Sequence, residues 1–317
     1  MANSITDTYK MKREILNFSK KFSTRLSSPE AKFTADMTYG IVASKSCLLT
    51  QISQRLQENT KKRYTVDRLS DHLAHGIPEE TLTDYLGYIR SITPSEPVIH
   101  IDDSDVIKPE GYHFESLGIV RDGSRSTPEK SVFCKGYHVT EACVLTDSNH
   151  PVSIFSELHS STEKGFTSTN HITFAAMERG AKLFKKATYV MDRGYDDNKI
   201  FQQMWELGQN FVIRLTQKRK MFFHGKWVPA TRLCAQRKGK VKLNLFYKGK
   251  EHEAYISHVK VQLTAAKRDV YLVLVYGITE HPMMLVTNKV DRHPGLVQAE
   301  KTKSKPAAFP ITSLTLS

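Results

Sequence analysis

The sequence predicts a mixed α/β protein: a small all-α domain, then a mixed sheet with helices, then a second strand-rich stretch. Three observations predict it. Apolar residues recur at helical spacing up to about residue 92, the spacing changes to that of strands beyond Pro94 and Pro97, and helical and strand-like segments alternate between about 170 and 215. With 317 residues and 39% hydrophobic content, the chain can bury a sizeable core.

In the helical part, Ile15, Phe18 and Phe22 share one face, as do Leu49, Ile52 and Leu56, and then Val66, Leu69 and Leu73. A helix near 46–58 leads into a basic stretch at 58–63, and Thr65 is the expected N-cap of a second, short helix. The pair suits a helix-turn-helix offering Lys61, Lys62 and Arg63 to DNA phosphates, and it suits a plain helical bundle as well. Pro78, Glu79 and Glu80 have first-turn chemistry, Leu82, Tyr85, Leu86 and Ile89 repeat at helical spacing, and Thr93, Pro94 and Pro97 end the pattern. Residues 1–93 are therefore expected to form an N-terminal DNA-binding domain.

Strands are expected at 98–102, 137–145 and 151–158, then a helix at about 170–186, a strand at 188–191, a helix at about 197–207 closed by Gly208, and a strand at 211–215. This order, βββαβαβ, spans the core at 97–219. A β-rich stretch at 220–289 has its strongest strands at 241–247, 252–261 and 270–276, with a Lys248-Gly249 turn and no long helix. Residues 290–317 lack either periodicity and are rich in Pro, Ser, Thr and Lys, the composition of a disordered tail.

Lys and Arg number 46 against 33 Asp and Glu, a formal charge of +13 that attracts a polyanion. The four cysteines form no CxxC pair, so a reducing compartment and buried thiols are expected; Cys134, His138 and Cys143 match no standard zinc spacing. No uncharged apolar run approaches 18 residues, so neither a signal sequence nor a membrane span is expected.

Two acidic motifs stand at strand ends. Val98-Ile-His-Ile-Asp-Asp-Ser-Asp105 delivers carboxylates at the end of an apolar strand, Asp103 being the best candidate, and Tyr189-Val-Met-Asp-Arg-Gly-Tyr195 delivers Asp192. Arg193, Arg214, Lys218 and Arg219 cluster near that edge, where nucleic-acid phosphates would pass. Trp205 reads as core, and Trp227 is undecided.

IDDSDVIKP at 101–109, VRDGS at 120–124, KGYHV at 135–139, MDRGYDDNKIF at 191–201 and VIRLTQKR at 212–219 resemble the DDE transposases of bacterial insertion sequences, of the insertion-sequence-four type, over roughly residues 40–288. The resemblance implies a ribonuclease H-like core, interrupted by a β-rich insertion at 220–289, whose first strand lies parallel to and beside the fourth. It implies catalytic, metal-binding carboxylates at Asp103 and Asp192, with Asp102 and Asp105 in neighbouring acidic positions. On adjacent parallel strands such charges, ~4 Å apart, would repel by about 4 kcal/mol at an effective dielectric of 20, and a cation would relieve this. Mg²⁺ or Mn²⁺ is the implied cofactor, and double-stranded DNA, as transposon ends and target, the implied partner. A homodimer on DNA in the bacterial cytoplasm and nucleoid follows, with no membrane and no small-molecule substrate.

The family's third carboxylate is a Glu in a Tyr-x2-Arg-x3-Glu-x6-Lys helix, and no such spacing follows Lys289; Glu300 lacks the Tyr and Arg before it. Metal-dependent cleavage and strand transfer at insertion-sequence ends are therefore the implied activity, in a copy expected to be truncated and inactive, with 290–317 a frameshifted tail if the resemblance ends at Lys289. The alternative is a non-catalytic DNA-binding remnant that regulates transposition.

Overall fold

The computed structural model describes residues 2–127, 129–247, 250–263 and 268–289. Contacts divide the chain after Ile92 into two compact units, each taken here by itself.

The first unit is helical: α1 (Ala2–Lys20), α2 (Ser28–Ser44), α3 (Leu49–Leu56), α4 (Lys62–Ala74) and α5 (Glu79–Ser91). Glu30 starts α2 by accepting the Ser27 amide at 2.9 Å and its hydroxyl at 2.7 Å. Phe33, Ile52 and Leu69, one from each of α2, α3 and α4, form a buried cluster with Met37, Leu49 and Leu56 packed on it. The helical spacing of these residues is thus used to join three helices.

The turn between α3 and α4 differs from expectation. Thr65 does not cap α4: the helix begins at Lys62, and the Thr65 hydroxyl, one turn inside, donates to Glu58 at 2.9 Å. Glu58 also takes Lys32 and Arg68, and Arg68 reaches Asp36 at 2.7 Å. An ionic cluster therefore holds the turn, and Lys61, Lys62 and Arg63 move to the positive end of the α4 dipole, exposed to water.

The second unit is a mixed α/β structure built on one continuous 12-stranded sheet. Its strands are β1 (Val98–Ile107), β2 (Gly118–Arg121), β3 (Phe133–Leu145), β4 (Pro151–His159), β5 (Thr188–Met191), β6 (Asn210–Arg214), β7 (Lys220–Phe223), β8 (Lys226–Pro229), β9 (Val241–Tyr247), β10 (Lys250–Leu263), β11 (Asp269–Tyr276) and β12 (Met283–Thr287). The helices are α6 (Thr169–Leu183), α7 (Asn198–Glu206) and the short α8 (Ala230–Ala235), so eight α-helices occur among the described residues. None is long and apolar enough to cross a membrane.

The main sheet path runs β2-β3-β1-β5-β6-β12-β11-β10-β7-β8, with β4 on β3 and β9 on β10. Within it β1 is antiparallel to β3 and parallel to β5, and β5 is parallel to β6. One face is covered by α6 and α7. Tyr189 on β5 donates to the Met177 carbonyl of α6 at 2.8 Å, and Phe211 on β6 packs on Phe201 and Trp205 of α7. Contact between α6 and the sheet depends on Gly180, where a Cβ would lie 2.4 Å from the Tyr189 hydroxyl and 2.9 Å from Ile99 Cδ1. On the other face, Val190 packs with Ala254, Ile256, Val275, Met283 and Leu285. The β-rich stretch is therefore continuous with the core sheet, since β12 pairs antiparallel with β6.

Three further expectations are corrected. β1 does not stop at 102 but runs on to Ile107, because β3 pairs with it residue by residue, from Asp102 opposite Glu141 to Ile107 opposite Gly136; β3 itself starts at Phe133, earlier than expected. The long connection holds the extra strand β2, so four strands precede α6. Of the cysteines only Cys234 is buried; Cys47 is exposed and Cys134 and Cys143 are intermediate, all four as free thiols. The Lys248-Gly249 turn, the 290–317 tail and Glu300 lie outside the described residues.

Two outcomes follow. Lys32 first, then Thr65 and Arg68, hold the Glu58 carboxyl down at about 2 against burial, from an ordinary 4.5. The folded carboxyl thus binds its proton more weakly than the unfolded one, so the cluster stabilises the protein above pH ~4.5 and loses that contribution as the pH falls towards about 2. Glu58→Gln should be less stable than wild type at pH 7, with the difference shrinking as pH falls, in urea unfolding measured across this range. Gly180→Ala should cost about 1–3 kcal/mol through overpacking against Tyr189 and Ile99, read in the same unfolding assay.

Candidate active site

β1 and β5 run side by side in register, Val98 opposite Thr188 and Ile101 opposite Met191. The residue after each of the last paired positions is an aspartate, Asp102 on β1 and Asp192 after β5. Alternation along β1 separates Asp102 from Asp103: Asp103 continues the row of Ile99 and Ile101, whereas Asp102 continues that of His100. Asp103 lies opposite Thr140 of β3, whose hydroxyl donates to its Oδ1 at 2.5 Å. Asp192 caps the single 3₁₀ turn Arg193–Tyr195, its Oδ1 accepting the Gly194 amide at 2.6 Å. A Cβ at position 194 would lie 2.9 Å from that oxygen, so glycine lets the carboxylate fold over the turn.

Electrostatics tie these groups together. The Asp102 carboxyl is pushed up by burial of its charge, then by the negative charge of Asp192, and to a smaller extent by Asp103, while the Asp103 amide at 3.1 Å pulls it down. Tyr195, only 7% exposed, is pushed far up by burial and then by Asp103, Asp102 and Asp192. Its hydroxyl oxygen is buried beside Asp103 without meeting hydrogen-bond geometry to any partner. Behind Thr140 lies His159, 1% exposed, its Nε2 3.0 Å from the Thr140 hydroxyl. Burial pushes the His159 imidazole down. Along the same rows Asp105 pairs with His138 at 2.7 Å.

The donors are oxygens, their charges repel one another, and none of Asp102, Asp103 and Asp192 forms an ion pair with Lys or Arg among the described residues. That chemistry fits Mg²⁺ or Mn²⁺, which accept one or two carboxylates and complete their shell with water. As the side chains stand, no three His, Cys, Asp or Glu among the described residues are gathered as a metal site.

Arg193, next to Asp192, lines a cleft of about 670 Å³ with Arg214, Thr216, Lys218, Glu280 and His281. Lys218 and Arg193 are exposed and Arg214 is half-buried. Arg219, expected beside them, is occupied inside the protein instead. Its Nε donates to Asp196 Oδ1 at 2.7 Å, Nη1 to Asn198 at 2.7 Å and Nη2 to the Asp196 carbonyl at 2.6 Å, with Phe201 under the guanidinium. In the helical unit Lys61 and Lys62 are exposed, and Arg63 makes only a loose 3.7 Å contact with Asp67.

No family model matches the chain, and no curated protein matches it. Among solved structures it is similar to a piggyBac transposase synaptic complex with hairpin DNA, at 10% identity over 89% of this chain and a TM-score of 0.37. The chain spans 59% of the length of that transposase chain.

Thr140, His159 and Tyr195 were not singled out in the sequence. Tyr195 sits inside the quoted MDRGY phrase, but only the fold brings Thr140 and His159 beside Asp103. Trp205 packs on Phe201 and Phe211 as a core residue would, and Trp227, 48% exposed, lies tilted against Phe222.

Removing the Asp192 charge should lower the Asp102 pKa, since only burial and the weaker Asp103 charge would then hold it up; NMR-detected carboxyl titration of Asp192→Asn checks this. Arg219→Ala leaves Asp196, 1% exposed, without its partner and should cost about 3–5 kcal/mol. Arg193→Ala and Lys218→Ala should stay within about 0.5 kcal/mol of wild type in the same urea unfolding experiment.

Proposed function

We infer that this chain is a transposase of the DDE type, acting on double-stranded DNA at the ends of an insertion sequence. The observation that carries the reading is the parallel register of β1 and β5, after which both strands present aspartates at the same end. The strand order β4-β3-β1-β5-β6, with β1, β5 and β6 parallel and β3 antiparallel, supports a ribonuclease H-like core. The charge of +13 supports a polyanionic partner.

In this reading Asp103 and Asp192 hold Mg²⁺ or Mn²⁺. When bound, the ion would lower the pKa of a water and stabilise the departing 3′ oxygen of a phosphodiester. Thr140 holds one oxygen of Asp103, the Gly194 amide holds one of Asp192, and Asp102 adds a neighbouring negative charge. Arg193, Arg214 and Lys218 draw the DNA backbone to the cleft beside Asp192, and Lys61, Lys62 and Arg63 grip phosphates from the helical unit. Binding as a homodimer, in a bacterial cytoplasm with access to the nucleoid, belongs to the same proposal. The charge of +13 and the exposed Lys61, Lys62 and Arg63 suit equally a second reading, a DNA-binding regulator without chemistry.

Mn²⁺-dependent nicking or joining of a DNA carrying the element's own ends separates the two. An active transposase, as against the inactive copy expected from the sequence, gives cleavage that Asp103→Asn and Asp192→Asn each abolish while DNA binding persists; binding without any cleavage supports the second reading. In either reading affinity should fall steeply with salt. Replacing Lys61, Lys62 and Arg63 by alanine should flatten the log-log salt slope by roughly 3, at about 0.9 per phosphate contact. An unchanged slope would remove the helical unit from the interface.

A further inference from the structure

We propose that Thr140 and His159 are positioning residues for Asp103, forming a one-directional hydrogen-bond chain that fixes which carboxylate oxygen is left for a cation. The proposal rests on the reading of Asp103 as a metal ligand and adds two residues to it.

The argument is one of proton counting. A threonine hydroxyl has one proton, and that of Thr140 is given to Asp103 Oδ1 at 2.5 Å. Thr140 Oγ1 lies 3.0 Å from His159 Nε2 and, its own proton being given to Asp103, can only accept there, so Nε2 must carry the proton. His159 is therefore the Nε2–H tautomer, and its Nδ1, buried without a partner, is bare. The chain runs His159 Nε2–H to Thr140 Oγ1–H to Asp103 Oδ1, each bond polarising the next.

Every member is held from behind. Thr140 is fully buried in the middle of β3, where a β-branched side chain has little χ1 freedom. The His159 ring is stacked between His138, at 5.7 Å, and Phe166, at 6.0 Å and 11°. His138 is in turn pinned by Asp105 of β1. Packing alone does not call for an imidazole here, because its bare Nδ1 is a buried acceptor left unsatisfied. A relay to Asp103 gives the ring a role: with Oδ1 engaged by Thr140, Oδ2 is the oxygen left for the ion.

The test uses the full chain with Mn²⁺ alone as probe, followed by Mn²⁺ electron paramagnetic resonance, and ¹⁵N NMR of the histidines. Thr140→Val should weaken Mn²⁺ binding about tenfold, the lower range for residues behind a ligand, and Thr140→Ser should restore it. The ¹⁵N shifts of His159 should report the Nε2–H tautomer in wild type without any metal. Wild-type Mn²⁺ affinity in Thr140→Val, or an Nδ1–H tautomer in the wild-type chain, overturns the proposal. If wild type does not bind Mn²⁺, or if Asp192→Asn binds it equally well, the metal reading itself falls and takes this proposal with it. Should Thr140→Val fail to fold, the wild-type tautomer and Thr140→Ser still decide.

Discussion

The pairing of β1 with β5 is the constraint on which the rest of the second unit depends. Two parallel strands cannot be joined by a tight turn, so the chain between them must make a long crossover. Here that crossover contains β2, β3, β4 and α6, and β3 returns to the free edge of β1. β5 flanks β1 only as far as Ile101, so through the following stretch, in which aspartate is a poor strand former, β3 alone satisfies its backbone groups. It continues through Asp102, Asp103, Ser104 and Asp105 because β3 supplies a residue opposite each one. Two of these opposing pairs, Asp103 with Thr140 and Asp105 with His138, are bonded through their side chains.

The arrangement is unfavourable for folding at one point. Asp102 faces Glu141 across the β1–β3 ladder and carries the charge of Asp192 from the other side. Like charges in such positions are destabilising, and no lysine or arginine among the described residues pairs with Asp102. The negative spot lies in a chain whose overall charge is +13. A polyanion drawn in by the whole protein would be repelled by these carboxylates unless a cation stood between them. The local and global charges are thus opposite in sign.

Elements with long, one-sided periodicity were legible in the sequence. α5 and α7 follow from apolar spacing and first-turn chemistry, and β5 from an uninterrupted apolar run, which suits a strand buried on both faces. Asp192 was visible for the same reason, as the first polar residue after that run. The true length of β1 was not visible, because local propensity argues against a strand through three aspartates and only the distant β3 reverses it. Thr65 misled in a similar way: its N-cap chemistry is real, but the Glu58 carboxylate, held by Lys32 and Arg68, captures the hydroxyl first. Thr140 and His159 carry no local signal at all, since their meaning comes from register.

The basic residues around Asp192 show why residue type and position cannot assign a role without burial. Arg193, Lys218 and Arg219 lie within one quoted pair of motifs, and charge alone treats them alike. Asp196 separates them. Its carboxylate accepts the Thr216 amide and hydroxyl, both at 2.8 Å, and Arg219 closes over it. This ties the turn that follows Asp192 to the segment that leaves β6. Arg219 therefore acts on the site from inside, by fixing the turn on which Asp192 and Arg193 stand, while Arg193 and Lys218 remain free to meet a ligand's charge. Moving Arg219 to the surface would add a cation to the cleft and loosen the platform that gives the cleft its shape, and the second effect is the larger because a broken buried pair costs more than a surface contact supplies.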